Sequence, residues 1–423
     1  MQNLSSIILV FDRLGAAHLG PYGGELAPTP TWNHLATESF LVEHLLVETP
    51  ELEPLYDAYW QSCHPLCQPS ASRVSLAEAV RGQGYKTLFV TDEPRIGEHR
   101  LVNDFDHSVL FEHNPVSNAA AIVEQCSVAR FLSYLLEQVP TGDEPFVLWA
   151  HCRAMEGPWD APLEFRQQFL DEDDPDPNES TQAPNMQLPV DYDPDQLLTM
   201  AAGYAAEVMA LDMCLGMFLE ALDQVIHPDR YLFQVTASRG FPLGEHLSVG
   251  RSGDATLYEE LVHVPWLIRM PNKIGGATRS QALAQAADIG ATLLDWTGAG
   301  LTRDHVGSQS QLPLVRGDTP ITKQRAVSMV GSTRVLRTPS WMYHQVSLEG
   351  ESADDIEPTA GAAGSTQLFT KPDDRWEFND VLDRCPEIVE QMSDELKQFC
   401  NHAQSGQLDK LPTLPESLQQ PHV

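Results

Sequence analysis

Two kinds of residue in this chain could do chemistry: a cysteine-rich stretch, and polar side chains that directly follow apolar runs. The stretch HPLCQPSASRVSL, residues 64–76, places Cys67 close to a proline, two serines and Arg73. With Cys63 and His64 it also has the spacing of one half of a zinc cluster. No second half follows in the sequence, so a turn with partly buried thiols is the favoured interpretation. The thiol of Cys67 stays a candidate nucleophile.

The composition describes a soluble globular protein with a large negative charge. Hydrophobic residues make up 42% and charged residues 20% of the 423 positions, enough for one large domain with an appendage or for two domains. The 60 Asp and Glu residues outnumber the 26 Lys and Arg residues, which gives a formal net charge of -34. Such a surface repels phosphate backbones, which argues against a nucleic acid partner. It also repels anionic substrates unless a local group of cations overrides the field.

The start of the chain and its cysteine content bear on location. The apolar run Ile7–Phe11 has no basic region before it and is too short for a signal peptide or a membrane span. It predicts a buried strand, and we expect a cytoplasmic protein without a membrane-spanning segment. The seven cysteines, an odd number scattered through the chain, favour reduced thiols over a disulfide framework.

Short apolar runs alternate with helical patterns along most of the chain. The runs predicted to be buried strands are Ser6–Asp12, Lys86–Glu93, Pro145–His151 and Arg230–Ser238. Helices are predicted at Val74–Gly82, Asn118–Val139 and Leu197–Val225. This alternation is typical of an α/β protein with a doubly wound, mostly parallel central sheet and helices on both faces. Ligands bind at the carboxyl ends of the strands in such sheets, so the polar residues that follow each run form the candidate site.

The rest of the chain predicts loops, a subdomain and a tail. An acidic, proline-rich loop spans about residues 171–196, and a second flexible stretch is predicted at 350–367. Alternation across Arg325–Ser347 predicts antiparallel strands, and Cys385–Phe399 predicts a closing amphipathic helix that begins at Pro386. We therefore divide the chain into an α/β domain, a small C-terminal α+β subdomain and a tail, at residues 1–316, 317–410 and 411–423.

Motifs along this alternating pattern resemble those of the sulfatases, within the alkaline phosphatase superfamily. The opening strand is followed by HLGPYG and TPTWNHLA, and later segments read SLAEAVRGQGYKTLFVTDE, MEGPWDAP and LYEELVHVPWLIRMP. The helix pattern ADIGATLLDWTG and the segment LFTKPDDRWEFNDVL complete the series, so the resemblance runs in order from residue 6 to about residue 400. It implies the sulfatase fold and, as the family's reaction, the hydrolysis of sulfuric esters.

The resemblance also implies a metal and a modified nucleophile. Family members hold a divalent cation, usually calcium, with oxygen ligands, and they use a formylglycine made by oxidising a cysteine. Asp12 matches the first metal-binding aspartate, but the next position, often a second aspartate, is Arg13. The later pair of ligands, an aspartate followed by histidine or asparagine, stands here as Ser238 and Arg239. With Asp12 as the retained ligand, the resemblance implies a site insufficient for calcium.

The nucleophile position holds an aliphatic residue. Aligned with the family pattern C-x-P-S-R, the segment LEPLY places Leu52 at the cysteine and Tyr56 at the arginine. Cys67 comes too late in the chain and has Ala71 where the arginine belongs, so we interpret it as a thiol without a catalytic part. Thr49 is an alternative hydroxyl nucleophile, since relatives in the superfamily use serine or threonine.

The assisting groups of the family are altered as well. The lysine of the family's GKWH segment aligns with Asp92. His151 is retained in type after the third predicted strand, whereas its companion histidine appears as Glu156. His246 persists, and Arg251 lies where a lysine or histidine is common. A histidine at a strand end is often a structural residue, so His151 and His246 are candidates for catalysis rather than assigned catalysts.

Two interpretations of these substitutions stay open. In the first, the fold persists without ester hydrolysis and with neither calcium nor formylglycine. The arginines then form a cationic pocket for an anionic small molecule, or they pair with neighbouring carboxylates as a structural network. The residues concerned are the arginines Arg13, Arg239 and Arg251 and the carboxylates Asp12, Asp92 and Glu156. A protein partner, with this chain as a scaffold or regulatory subunit, is a further option.

In the second interpretation, the chain is an active hydrolase of sulfate or phosphate esters with a rebuilt site. The residues available for such a site are Thr49, Asp12 and His151. The support for this interpretation is an analogy at the level of the fold.

Overall fold

Strands and helices alternate in the computed structural model, which describes residues 4–68, 73–301, 305, 307–320, 322–346 and 366–420. The strands are β1 (Ser5–Phe11), β2 (Phe40–Leu46), β3 (Lys86–Thr91), β4 (His107–Leu110), β5 (Phe146–Cys152), β6 (Met186–Gln187), β7 (Tyr231–Ala237), β8 (Ser248–Val249), β9 (His263–Arg269), β10 (Thr278–Gln285), β11 (Ala326–Val330), β12 (Thr333–Arg337), β13 (Trp341–Gln345) and β14 (Gln367–Thr370). The α-helices are α1 (Pro30–Glu38), α2 (Leu52–Gln61), α3 (Leu76–Arg81), α4 (Pro94–Gly97), α5 (Ser127–Gln138), α6 (Leu163–Gln167), α7 (Pro194–Val225), α8 (Glu259–Val262), α9 (Ala287–Thr297), α10 (Leu312–Val315), α11 (Pro386–Gln404) and α12 (Glu416–Gln419).

An eight-stranded sheet lies at the centre, in the order β10-β2-β9-β7-β1-β5-β3-β4. The strand β1 pairs in parallel with β5 on one side and with β7 on the other, so Ile8 lies opposite both Trp149 and Gln234. The strand β9 runs antiparallel to both of its neighbours, β2 and β7. The predicted α/β fold with a mostly parallel central sheet is therefore confirmed.

The strand that leads to the site is buried along its whole length. Every residue of β1 is buried, as expected for a parallel strand with both faces covered. The 32-residue helix α7 begins after the cap residue Asp193, with Pro194 at its first position. Within α7, the Asp212 carboxylate accepts the backbone N–H groups of Thr31 and Trp32 at 3.1 and 3.0 Å, and so caps α1. This contact fixes α1 against α7.

One predicted helix begins later than the sequence pattern indicated. The prediction covered residues 118–139, but a 3-10 turn at Val123–Gln125 precedes α5, which begins at Ser127. The Asp160 carboxylate accepts hydrogen bonds from the backbone N–H and from the hydroxyl of Ser127, at 3.0 and 2.8 Å. This contact with a distant residue sets the start of the helix and leaves the alanine-rich segment before it non-helical.

A second, antiparallel sheet in the order β11-β12-β13-β14 lies against α11. The predicted antiparallel strands within residues 325–347 correspond to β11, β12 and β13. The closing helix is longer than predicted and ends at Gln404. A buried apolar cluster joins this subdomain to the segment that follows α2, through the side chains of Cys63 and Cys67.

The acidic loop predicted at residues 171–196 is largely irregular and reaches the site side of the sheet. Its later part forms β6, in which Met186 lies opposite Val249 of β8. The second predicted flexible stretch falls mostly within 347–365, outside the described residues. In the described part of the chain, no helix is long and apolar enough to cross a membrane.

Candidate functional site

Polar side chains from neighbouring strands meet at the carboxyl edge of the central sheet. Backbone hydrogen bonds continue the parallel register beyond the strands, since Asp12 N donates to Cys152 O at 2.8 Å and Ser238 N donates to Phe11 O at 3.0 Å. The register therefore brings together residues that are far apart in sequence. They are Asp12 after β1, Asp92 after β3, His151 within β5, and Ser238 and Arg239 after β7.

Arg239 forms a bidentate ion pair with Asp12. Its Nε and Nη2 donate to Oδ1 and Oδ2 of Asp12 at 2.9 and 3.0 Å. The Ser238 hydroxyl donates to the same Oδ1 at 2.6 Å, and Arg239 Nη1 donates to Pro50 O at 3.0 Å. Asp12 is fully buried and Arg239 is nearly so. Both oxygens of this carboxylate are thus bonded to neighbouring side chains.

Arg13 is held by two acidic residues from other segments. Its Nη1 and Nη2 donate to Oδ1 and Oδ2 of Asp254 at 2.9 and 2.7 Å, and its Nε donates to Glu156 Oε2. The backbone of Arg13 has a φ of 61°, which is uncommon for a residue other than glycine. The Tyr204 hydroxyl donates to the Arg13 carbonyl oxygen at 3.0 Å and helps to hold this conformation.

The charges of these groups are stabilised by their partners. Burial alone would raise the pKa of Asp12, but the charge and hydrogen bonds of Arg239 hold it well below its usual range. Burial likewise opposes the charge of Arg13, and the hydrogen bonds and charge of Asp254 outweigh it and raise the pKa of Arg13. Asp12 and Arg13 are therefore held in their charged forms.

Glu156 connects the two ion pairs to the rim of the site. Arg251 Nη2 contacts Glu156 Oε1, and Arg95 Nη2 lies 3.6 Å from the same oxygen. Arg239 Nη2 lies 3.6 Å from Glu156 Oε2, the oxygen that accepts the Arg13 hydrogen bond. The three arginines singled out in the sequence therefore converge on one carboxylate. Each of them is paired with an acidic residue.

Asp92 has a different partner from the one considered in the sequence. Its Oδ2 lies 2.8 Å from His113 Nε2, and its Oδ1 accepts the backbone N–H of Arg153 at 2.7 Å. Of the three carboxylates considered for the arginine network, Asp12 and Glu156 pair with the arginines in the described part of the chain, and Asp92 does not. Sequence reasoning also missed His113, which stands in a polar segment without a periodic pattern.

The candidate base and hydroxyl nucleophile are both buried. His151 Nδ1 lies 2.7 Å from the Tyr56 hydroxyl, while its Nε2 is buried with no hydrogen-bond partner in the described part of the chain. Burial lowers the pKa of His151 although the nearby Asp12 carboxylate acts in the opposite direction. Thr49 is fully buried, and its Oγ1 accepts the backbone N–H of Glu51 at 3.2 Å.

The two candidate nucleophile positions lie in different parts of the molecule. Leu52 is the first residue of α2 and is buried. Cys67 belongs to the apolar cluster shared with β11 and α11 of the C-terminal subdomain. Its interaction with Cys63, together with burial, raises the pKa of the Cys67 thiol. Residues 69–72 of its motif lie outside the described residues.

His246 contacts the C-terminal subdomain. Its Nδ1 lies 2.7 Å from Glu260 Oε1 and its Nε2 lies 3.2 Å from Glu377 O, while the ring stacks on Tyr258 at 3.5 Å between centroids. Burial opposes the charged form, but the hydrogen bond and charge of Glu260 outweigh it and raise the pKa of His246. Both ring nitrogens of His246 thus have structural partners.

A cavity of about 490 Å³ opens beside the arginine cluster. One side is closed by residues 181–185 of the acidic loop. Two lining residues carry buried nitrogens without hydrogen-bond partners among the described residues, at Arg153 Nε and His113 Nδ1. Arg153 Nε lies 3.4 Å from Glu93 Oε2. The charged and imidazole side chains in the lining are Arg13, His113, Arg153, Glu156 and Arg251.

Comparison with known proteins assigns the family. The sulfatase family model matches residues 6–299, and the chain belongs to that family. An N-acetylglucosamine-6-O-sulfatase of Bacteroides thetaiotaomicron is 32% identical to this chain over 124 residues. The matched segment spans 29% of this chain and 22% of that relative.

Solved structures resemble the fold over nearly the whole chain. A phosphonate monoester hydrolase of Agrobacterium radiobacter has a TM-score of 0.73 at 16% identity, with 95% of this chain and 96% of that chain covered. A protein solved in complex with its substrate D-glucosamine-2-N,6-O-disulfate has a TM-score of 0.72 at 17% identity, with 97% and 99% covered. At these identities the likeness shows the fold.

Proposed function

We propose that this sulfatase-family chain does not hydrolyse sulfuric esters, and that it binds an anionic small molecule at the same edge of the sheet. The observation that carries the loss of hydrolysis is the bidentate ion pair between Arg239 and Asp12. A divalent cation at Asp12 would need the carboxylate oxygens that bond to the guanidinium and to the Ser238 hydroxyl.

The side chains present do not fit the calcium ion and the formylglycine of the family. Calcium takes roughly six to eight oxygen ligands, whereas the positions around Asp12 carry the cations Arg13 and Arg239. Among the residues that the structure describes, no group of three or more His, Cys, Asp or Glu side chains could hold a metal ion. Leu52, at the nucleophile position, has no thiol to oxidise. Neither group therefore supports a step in this site.

The binding proposal rests on the cavity beside the arginines. Arg251 and Arg153 are 55% and 31% exposed, so their side chains are accessible at its wall. Arg153 Nε is buried and lacks a hydrogen bond within the described chain, although it lies 3.4 Å from Glu93 Oε2, and an unsatisfied buried donor costs roughly 1–3 kcal/mol. An oxygen of a sulfate, phosphate or carboxylate group would accept from the guanidinium groups of Arg153 and Arg251, and its charge complements theirs.

Calorimetric titration with inorganic sulfate and phosphate, at constant ionic strength, tests binding. We expect saturable binding to the wild-type protein, weakened about tenfold or more in Arg153→Ala and in Arg251→Ala, because each removes a charge-assisted hydrogen bond. Arg230→Ala removes an exposed arginine elsewhere on the surface and is the matched control. No binding by the wild type, or binding that survives both substitutions, contradicts the proposal.

Turnover assays test the loss of hydrolysis. Nitrophenyl sulfate and nitrophenyl phosphate are offered with calcium, magnesium, manganese or zinc, and we expect no turnover above that of Asp12→Ala. Metal-dependent turnover that Asp12→Ala abolishes contradicts the proposal. Metal-independent turnover that Thr49→Val or His151→Gln abolishes would also contradict it, and would establish the alternative, a hydrolase with a rebuilt site.

A further inference from the structure

We infer that the guanidinium group of Arg239 is a built-in cation, which joins three chain segments at the carboxyl edge of the sheet in place of a bound divalent ion. The inference goes beyond the proposed function, because it does not depend on whether the neighbouring cavity binds an anion. It follows from the atoms that the guanidinium contacts and from the charges around it.

The guanidinium of Arg239 spans residues that are distant in sequence. Arg239 follows β7, and its Nε and Nη2 bond to Asp12 at the end of β1, 227 positions away. Its Nη1 bonds to Pro50 O, 189 positions away, in the segment that leads into α2. One cation therefore holds the ends of β1 and β7 and the approach to α2 in a fixed arrangement.

The acidic side chains around Arg239 explain why a cation is needed here. Glu156 Oε2 lies 3.6 Å from its Nη2, and Asp254 Oδ2 lies 3.7 Å from its Nη1. With the fully buried Asp12, these make three carboxylates around one guanidinium. Asp12 and Glu156 are buried, and carboxylates this close together would repel one another without a positive charge between them. Arg13, on the other side of Glu156 and Asp254, supplies the second such charge.

Thermal unfolding of Arg239→Met, Asp12→Asn and the double variant tests whether the charge is the essential feature. Arg239→Met leaves the Asp12 carboxylate buried without its counterion, so Tm is expected to fall by at least about 5 °C. Removing both charges should recover most of this loss, because no unpaired charge is then left. Additive losses in the double variant would mean that Arg239 acts by packing alone, which overturns the inference.

Rescue of an Arg239 variant by free guanidinium ion is a second test of the inference. It can be applied even if the variant folds poorly, because the refolding yield can then be measured instead of the Tm. Arg239→Gly removes the cation and leaves space for a free guanidinium ion. At tens of millimolar, guanidinium chloride should raise the Tm of this variant above that in equal sodium chloride, or raise its refolding yield if it is insoluble. The wild type and Asp12→Asn combined with Arg239→Gly are the controls. No rise in Arg239→Gly, or an equal rise in both controls, contradicts the inference.

Titration of the wild-type protein with calcium and magnesium chloride completes the test. We expect neither saturable binding nor a change in Tm. A stoichiometric ion that Asp12→Asn abolishes would overturn the inference together with the metal part of the proposed function. Turnover in the absence of such an ion would contradict the proposed function alone, so the two failures are distinguishable.

Discussion

Arg13 and Asp254 form a two-pronged ion pair, with Nη1–Oδ1 and Nη2–Oδ2 distances of 2.9 and 2.7 Å, although 241 positions separate them in the sequence. The side chain of Arg13 is 1% exposed and that of Asp254 is 31% exposed. The contact ties the end of β1 to the 3-10 turn after β8, which also carries Arg251. It thereby fixes two arginines that line the cavity.

Asp254→Ala is expected to lower the free energy of unfolding by about 3 kcal/mol, because a buried guanidinium loses its bidentate partner. Chemical denaturation measures the change. Asp143→Ala is the matched control, since it breaks the pair with Arg230 from a fully exposed position, and we expect no measurable change there. If the two variants were equally stable, the Arg13–Asp254 contact would contribute no more than a surface ion pair.

The strands that could be predicted from the sequence are those buried on both faces. β1, β3, β5 and β7 are rich in apolar and β-branched residues because helices cover both faces of the sheet there. β2 and β10 were not predicted, since residues such as Glu43 and Arg279 interrupt their apolar runs, and β9, which contains Pro265, was indicated by the family motif LYEELVHVPWLIRMP rather than by an apolar run. Their place in the sheet is set by pairing with neighbours, which a local pattern does not record.

The site could be predicted where it follows such strands or where a family motif marks it, as at Glu156 and Arg251. Asp12 and Arg239 were found because each stands after a buried apolar run and at a position where the resemblance implies a metal ligand. Asp254 and His113 stand in irregular segments, and their partners Arg13 and Asp92 lie 241 and 21 positions away. A residue that reaches a site through tertiary packing alone carries no periodic pattern in the sequence. Asp254, a partner of Arg13, was therefore not predicted.

Gly240→Ala is expected to destabilise the fold by about 3 kcal/mol or more. A Cβ at Gly240 would lie 2.0 Å from the carbonyl oxygen of Glu260, and backbone rather than a flexible side chain would have to move. The glycine also donates its N–H to Leu261 O at 2.7 Å, which holds the segment that carries Arg239 against α8, the helix before β9. Urea denaturation measures the change.

Gly142→Ala is the matched control for this substitution. A Cβ at Gly142 meets no atom within 4 Å in the described structure, so stability should be unchanged. A Gly240→Ala protein as stable as Gly142→Ala would show that the backbone of Glu260 can shift freely.

His18 gives the fold a dependence on acid pH. Burial, with a smaller effect of the Arg375 charge, lowers the pKa of His18 from its ordinary 6.5 to about 4. The folded state therefore favours the neutral ring, so its contribution to stability is complete above the unfolded pKa and is lost as the pH falls toward the folded pKa. At about pH 5 the loss from this residue is about 2 kcal/mol.

His18→Phe keeps an aromatic ring against Tyr204, whose centroid lies 4.7 Å away, and removes the titration. We expect a smaller drop in unfolding free energy between about pH 7 and pH 5 than in the wild type, measured by urea denaturation at each pH. His34→Phe, at an exposed position of α1, should retain the wild-type slope. The same slope in all three proteins would rule out His18 as the group responsible.

Cys67 is expected to be neither converted to formylglycine nor readily alkylated. Its contact with Cys63 and its burial raise the pKa of the thiol, and the thiolate is the reactive form. Protein produced together with a formylglycine-generating enzyme should give a Cys67 peptide of unmodified mass. In iodoacetamide, the half-buried Cys385 should react before Cys67. An aldehyde at position 67, or alkylation of Cys67 ahead of Cys385, would restore it as the candidate nucleophile despite its place in the C-terminal apolar cluster.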